Sequence, residues 1–257
     1  MTEFLAPLIA LSGMSEEWLH GAFLVFLRVG AVMALMPGFG EQVVPMRVRL
    51  ALTLAFTAIT LPAVTDRIGV GNPVLLGAAE VAAGLIIGIG MRLFILALQT
   101  AGAIAAQATS LAQLFAGAGA EPQPAIGHVL TISGLALAMA MGLHVKAAEL
   151  LITSYDLLPS GQMPASNEAA AWGTAAVARC FALAFSLAAP FVLASVIYNL
   201  ALGAINKAMP ALMVSFIGAP ALTVGGLVLL ALAIAPVLVI WQGAFEAYLA
   251  APFGPAR

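Results

Sequence analysis

The sequence predicts an all-α, membrane-associated protein with about six long hydrophobic helices, some of them broken by proline, arranged as hairpins. Of its 257 residues, 63% are hydrophobic and 8% are charged, against about 25% charged in an ordinary soluble domain. Several apolar runs approach the roughly 20 residues that a helix needs to cross a bilayer. Because lipid offers no partner to free backbone groups, these runs are expected to be helices.

Charge and cysteine content exclude several function classes. The formal net charge of -2 provides no basic field, so no nucleic acid partner is expected. Cys180 is the single cysteine, so an internal disulfide is impossible and a packing role is expected. Glu3, Glu16 and Glu17 precede Arg28, the first basic residue. The N-terminus therefore lacks the basic segment of a cleavable signal peptide, and the first hydrophobic helix is expected to be retained.

Proline, glycine and charge divide the chain into six candidate spans. They cover residues 18–36, 49–64, 73–99, 125–143, 171–203 and 222–248. Pro73 suits the first turn of the third helix, whereas Pro190 and Pro236 lie inside the last two spans. Residues 144–170 are the most hydrophilic long segment and predict an amphipathic helix followed by an exposed turn. No internal repeat and no soluble domain is found, so residues 1–257 are taken as one domain.

The distribution of basic residues does not choose an orientation in the membrane. With the N-terminus outside, three basic residues fall in nominal inside loops and three in outside segments. The inside set is Arg47, Arg49 and Lys207, and the outside set is Arg67, Lys146 and Arg257. The positive-inside rule therefore gives a tie.

Four lone charges, Glu80, Arg92, Arg179 and Glu246, interrupt apolar runs. Each costs about 2.5–3.5 kcal/mol at the centre of an inserted helix, so each needs a partner. Either they form an ion relay, or they pair and pack, including against polar groups of neighbouring chains. Glu80 and Arg92 are about 18 Å apart along one helix at 1.5 Å per residue, so they cannot pair with each other.

The sequence shows no catalytic, cofactor or metal site. His20, His128 and His144 are scattered, with no carboxylate or cysteine at metal-ligand spacing. No nucleophile and base stand at a recognisable spacing, so no enzymatic activity and no cofactor are expected. The glycines of "GLIIGIG", residues 84–90, are spaced for close helix approach, which indicates packing.

Four stretches of the chain together resemble the FliR family of flagellar export-gate proteins. They are "RVGAVMALMPGFGEQVVPMRVRLALTLA" (28–55), "GLIIGIGMRL" (84–93), "ITSYDLLPSG" (152–161) and "YNLALGAINKAMPALMVSFIGAPALTVGGL" (198–227). The first and last are long and specific, and the order is kept over almost the whole chain. Related injectisome subunits (SctT) share the architecture, but the "MPGFGE" form is similar to the flagellar one.

The resemblance implies a function and a set of partners. It implies one copy of this subunit assembled with five P (FliP-like) and four Q (FliQ-like) subunits as the entry gate of the flagellar type III secretion system. It also implies a B (FlhB-like) subunit, membrane lipid and unfolded export substrates as partners, in the inner membrane at the flagellar basal body. Much of such an assembly stands above the membrane plane. Ala211 after Pro210, and Lys207 where arginine is common, depart from the family pattern.

The resemblance also gives roles to two sets of residues. Pro37, Gly38 and Pro45 predict a rigid corner between two hairpin helices, and charged residues at the corner and elsewhere become candidates for subunit interfaces. These candidates are Glu41, Arg47, Arg49, Glu80, Arg92, Asn206 and Lys207. The alternative for the two corner arginines, Arg47 and Arg49, is snorkelling at the membrane surface.

The Gly- and Pro-rich loop 114–127 is predicted to close the export channel as a plug. Its plug residues are Leu114, Phe115, Ala116, Gly117, Ala118 and Gly119. Phe115 supplies an apolar stopper, and the glycines permit movement. The alternative is an ordinary surface connection.

Two other functions remain open at the level of sequence. A small-molecule or ion transporter would place its substrate at the helices broken by Pro190 and Pro236, although such proteins usually contain a repeat. An intramembrane hydrolase would need a nucleophile and a base, which the sequence does not show.

Overall fold

The computed structural model describes residues 16–109, 125–208 and 214–253, and these form seven α-helices joined by turns, with no strand among them. In order the helices are α1 Glu16–Leu35, α2 Met46–Val64, α3 Pro73–Thr109, α4 Ala125–Ala140, α5 Leu143–Leu157, α6 Ser166–Ala208 and α7 Val214–Ala250. A short 3₁₀ helix, Thr65–Arg67, follows α2. The all-α prediction is confirmed.

The described helices are long and apolar enough to account for a polytopic membrane protein. By length and composition, α1, α2, α3, α6 and α7 can each cross a bilayer. The pair α4 and α5, bent by 71° between them, gives a sixth candidate if it counts as one broken span. The prediction of about six hydrophobic helices is therefore confirmed.

Two expected helix boundaries are corrected. The third helix continues ten residues beyond the predicted end at Gln99, to Thr109. Small residues in this extension, such as Ala101 and Ala105, are fully buried. The fourth helix ends at Ala140, three residues before the predicted end at Leu143, because Gly142 adopts a left-handed conformation with φ of 73°. That conformation suits glycine, which has no Cβ. The helix α5, which begins at Leu143, lies where an amphipathic helix was predicted.

The described residues group into two compact units. Unit 1 contains the described residues up to Arg92, then Met141–Gly173, and the described residues from Tyr248 onward. Unit 2 contains the described parts of Leu93–Ala140 and Thr174–Ala247. In unit 2, Trp241 is fully buried and donates from Nε1 to the Phe94 carbonyl oxygen over 2.9 Å. Phe245 stacks on Trp241 with ring centroids 5.2 Å apart.

In unit 1, α1 packs against α2 as an antiparallel hairpin and against α3 along a glycine seam. A Cβ at Gly30 would contact Thr53, and one at Gly21 would contact Leu61, which fixes the antiparallel register. Across the other face of α1, Gly84 of α3 lies so close that an added Cβ would overlap the Arg28 carbonyl oxygen. The packing role expected for the 84–90 glycines is therefore observed.

Candidate functional site

The interior of unit 1 contains a buried ion pair. Arg28 of α1 donates from Nε to Oε2 of Glu80 on α3 over 2.7 Å, and the side chains are 1% and 0% exposed. Arg28 also donates from Nη1 to Ser154 Oγ over 3.1 Å and from Nη2 to the Leu158 carbonyl oxygen over 2.9 Å. The guanidinium therefore binds groups from three separate parts of the chain.

Two further side chains complete the environment of this pair. The ring of Tyr155 lies 3.7 Å from the guanidinium carbon of Arg28, a cation–π contact. The Tyr155 hydroxyl donates to Glu80 Oε2 over 3.3 Å, and the Ser160 hydroxyl donates to Oε1 over 2.6 Å. The Arg28 cluster, defined as Arg28, Glu80, Ser154, Tyr155, Leu158 and Ser160, thus joins α1, α3, α5 and the turn after α5.

The contacts of the Arg28 cluster hold helices together and indicate a structural role. Each carboxylate oxygen of Glu80 accepts at least one hydrogen bond, and Arg28 donates from all three of its nitrogens. Buried charges are tolerated when they are paired and hydrogen-bonded in this way. Among the residues that the structure describes, no group of three or more His, Cys, Asp or Glu is arranged to hold a metal ion.

The second polar feature is the corner between α1 and α2, residues 36–45. Gly38 has a φ of 81°, and the Gly40 amide donates to the Met36 carbonyl oxygen over 2.7 Å. Pro45, with a φ of -58°, immediately precedes α2. A Cβ at Gly40 would lie 2.9 Å from the carbonyl carbon of Ala34. The turn predicted from the prolines and glycines is therefore present.

Glu41 connects this corner to two arginines. Its carboxylate forms an ion pair with Arg92 of α3, and its carbonyl oxygen accepts a hydrogen bond of 3.0 Å from Arg49 Nη2. The Arg49 Nε is buried without an acceptor in the described part of the chain. Arg47 is exposed. Arg92, in the middle of α3, and Arg49, at the start of α2, are thus both bound by Glu41, and the three arginines around this one glutamate leave an excess of positive charge.

The structure pairs three of the predicted interface residues, Glu41, Glu80 and Arg92, within the chain itself. Glu80 pairs with Arg28 and Arg92 pairs with Glu41, so none of the three needs another chain to compensate its charge. Asn206 and Lys207 are exposed in the last turn of α6. Contact of these residues with other subunits stays a prediction. The plug residues, Leu114 to Gly119, lie outside the described residues.

Sequence reasoning missed Arg28 as the partner of Glu80. It quoted the stretch 152–161, which contains Ser154, Tyr155 and Ser160, for the family resemblance but gave these three residues no role. A usable signal was present, because Arg28 is the single charged residue of the first candidate span and Glu80 is the single acidic residue of the third. Opposite charges of this kind become a candidate pair when the helices run side by side. For the serines and the tyrosine, the resemblance of the stretch 152–161 marked the segment but not their contacts, which depend on where the turn after α5 lies.

Comparison with known proteins matches this chain over most of its length. Residues 19–248 match the family described as bacterial export proteins, family 1. The chain is 37% identical over 235 residues to the flagellar biosynthetic protein FliR of Caulobacter vibrioides, covering 89% of this chain and 94% of that one. It is 30% identical over 220 residues to FliR of Escherichia coli K12, covering 82% and 84%. A FliR of Pectobacterium carotovorum is 28% identical over 219 residues, covering 81% and 82%. The chain therefore belongs to the FliR family of bacterial export proteins.

Proposed function

We propose that this chain is the R-type subunit of the flagellar type III secretion gate, through which unfolded flagellar proteins cross the inner membrane. The observation that carries the proposal is the match to export proteins along residues 19–248. The relatives are named flagellar biosynthetic proteins and are covered over most of their length. The proposed partners are one set of P, Q and B subunits (FliP-, FliQ- and FlhB-like), with a single copy of this chain per gate.

The apolar surface of α6 and α7 supports assembly with other helices. Only 28% of the most apolar window of α6 and 22% of that of α7 is buried within the chain. At 1.5 Å per residue, the 43 residues of α6 extend about 64 Å, roughly twice the 30 Å hydrocarbon thickness of a bilayer. Lipid alone cannot cover an apolar helix of that length, whereas neighbouring subunits can.

The proposed role is passage and assembly rather than catalysis. The buried charges of the Arg28 cluster are used by the chain's own groups, which leaves no free acid or base there for a reaction. A groove of about 590 Å³ between α1 and α3 has an almost entirely apolar lining, so this groove offers few polar contacts to the substrate that the transporter alternative requires. The energy for export then comes from other components.

The proposed gate needs a closure, and we assign it to residues Leu114 to Gly119. The segment connects α3 to α4 and contains one aromatic residue, two glycines and no charge, which suits a dry and movable seal. Deleting Phe115 to Gly119 is expected to leave the complex assembled while the membrane leaks ions or small solutes. Unchanged permeability in an assembled, secreting complex would show that the segment is an ordinary connection.

The function itself is tested by deletion and copurification in the bacterium that encodes the chain. Deleting the gene is expected to abolish swimming and flagellin secretion, and a tagged copy solubilised in mild detergent is expected to retain the P and Q subunits. The chain made alone is expected to be unstable because of its exposed apolar surface. A monodisperse, protease-resistant chain that binds no export subunit would contradict the proposal.

A further inference from the structure

Arg179 on α6 has no acidic partner among the residues that the structure describes. It is one of the four lone charges in apolar runs, and for two of the others, Glu80 and Arg92, the chain supplies an opposite charge. Arg179 is exposed, and its Nε donates to the Ala175 carbonyl oxygen of its own helix over 3.3 Å. The charge of Arg179 is therefore uncompensated within the described part of the chain.

The nearest charges along α6 are too far away to compensate Arg179. Glu168 precedes it by 11 residues and Lys207 follows it by 28, so even the nearer charge lies about 16 Å away along the helix axis. An arginine cannot lose its charge by losing its proton in a protein. The guanidinium therefore needs either water or an anion from outside the described chain.

Arg179 lies at one edge of an exposed arc on α6. At 3.6 residues per turn, the other edge is formed by Phe181 and Phe185, which are 50% and 62% exposed. Ala178 and Ala182 lie between the two edges and are also exposed. Small residues of this kind allow the backbone of another helix to approach closely. The arc therefore suits a helix that contacts aromatic rings on one side and a guanidinium on the other.

Neither water nor lipid suits the whole arc. Water solvates the guanidinium but leaves the two phenylalanine rings exposed, whereas lipid covers the rings but makes a charge at the centre of a helix cost about 2.5–3.5 kcal/mol. A protein helix with apolar residues and one carboxylate suits both, because arginine and carboxylate can form two parallel hydrogen bonds. Arginine and aromatic residues are also enriched at protein interfaces. This reasoning holds wherever α6 lies relative to the membrane plane.

We propose that the Arg179 arc, defined as Ala178, Arg179, Phe181, Ala182 and Phe185, binds a helix of a neighbouring gate subunit, and that Arg179 pairs there with a carboxylate of that helix. The inference rests on the proposed function, because it takes the neighbour from the P and Q subunits. It adds the chemistry of the contact, which is an aspartate or glutamate in an otherwise apolar helix. An anionic lipid headgroup bound to Arg179 is the competing occupant, and the experiment separates the two.

Three substitutions of Arg179 separate charge from packing in the complete complex. Arg179→Lys keeps the charge, Arg179→Met keeps an apolar side chain without it, and Arg179→Glu reverses it. Each tagged chain is produced together with the P and Q subunits, and the P and Q subunits recovered per copy of the chain are measured. Arg67→Glu is the control, because it reverses an exposed arginine outside the arc.

The proposal predicts an order of effects. Removing one partner of a buried charge pair weakens binding by more than about tenfold, so Arg179→Met is expected to lose most of the P or Q subunit and Arg179→Glu to lose more. Arg179→Lys and the Arg67→Glu control are expected to retain both subunits. Full recovery and swimming with Arg179→Glu, or equal recovery with Arg179→Met and Arg179→Lys, would overturn the proposal.

Cross-linking tests the same contact without changing the charge. Phe185 is replaced by p-benzoylphenylalanine, which keeps an aromatic ring at the arc, and the assembled complex is irradiated. A cross-link to a P or Q subunit is expected, whereas a cross-link to lipid alone would overturn the proposal. This result and that of Arg179→Met decide the matter if Arg179→Glu does not accumulate. An unaltered chain that retains neither P nor Q would instead contradict the proposed function.

Discussion

The Arg28 cluster and the corner each contain an arginine–glutamate pair, but they differ in what surrounds it. Arg28 and Glu80 are 1% and 0% exposed, and donors or acceptors from α5 and its following turn complete the cluster. Arg92 and Glu41 are 28% and 23% exposed, and the neighbouring Arg49 Nε has no acceptor among the described residues. A pair that is satisfied within the chain serves folding, whereas a corner with unused donors is available to a partner.

The largest effect is expected from breaking the buried pair. Glu80→Ala leaves the Arg28 guanidinium buried without a carboxylate, which typically costs about 3–5 kcal/mol. Thermal unfolding of the purified complex in detergent, or protease resistance in membranes, measures the loss. The double variant Arg28→Met, Glu80→Leu removes both charges and is expected to be less damaging than Glu80→Ala. A single variant as stable as the parent would contradict the structural role of the cluster.

A smaller loss is expected at the glycine seam that brings Arg28 and Glu80 together. In Gly84→Ala, the new methyl group would overlap the Arg28 carbonyl oxygen and lie 2.8 Å from the Ala31 Cβ, so α1 must move. Overpacking of this kind costs about 1–3 kcal/mol. Gly243→Ala on α7 is the control, because no atom lies within 4 Å of its added Cβ. Equal melting temperatures for the two variants would contradict close packing of α1 against α3 at Gly84.

The glycine seam and the Arg28 cluster also show which structural features the sequence alone could predict. The 84–90 glycines predicted close packing correctly, because their spacing depends only on helix periodicity. The corner was predicted because proline and glycine restrict the backbone locally. The pairing of Arg28 with Glu80 was not predicted, since it depends on which helices become neighbours. The separation of α4 from α5 was predicted to within three residues, because the chain becomes hydrophilic at His144 directly after an apolar run.

A change at the corner is expected to cost less than either change in the interior. Glu41→Gln removes the ion pair with Arg92 but leaves the Glu41 carbonyl contact with Arg49. For a pair that is partly solvated, the loss is about 1 kcal/mol or less. The same melting experiment measures it, with Glu80→Gln as the buried counterpart. A greater loss of stability for Glu41→Gln than for Glu80→Gln would contradict the conclusion that the buried pair contributes more to folding than the corner pair.

The smallest effect is expected for the exposed ion pair between Arg67, just after α2, and Asp156 of α5. Arg67 and Asp156 are 43% and 60% exposed, and solvent-exposed pairs contribute about 0–1 kcal/mol. Arg67→Ala should therefore change the melting temperature little, and added salt should change it little further, because water already screens the pair. A loss comparable to that of Glu80→Ala would show that exposure does not separate these ion pairs.

The most direct test of this account separates folding from assembly in one experiment. Tagged Glu80→Ala and Arg47→Glu, Arg49→Glu variants are produced with the P and Q subunits, and both the amount of folded protein and the copurified subunits are measured. The account predicts that Glu80→Ala lowers the amount of folded protein. It predicts that the corner variant accumulates normally but loses its partners and swimming motility, whereas Arg47→Lys, Arg49→Lys keeps both. Full copurification and motility of the charge-reversed corner would contradict the account.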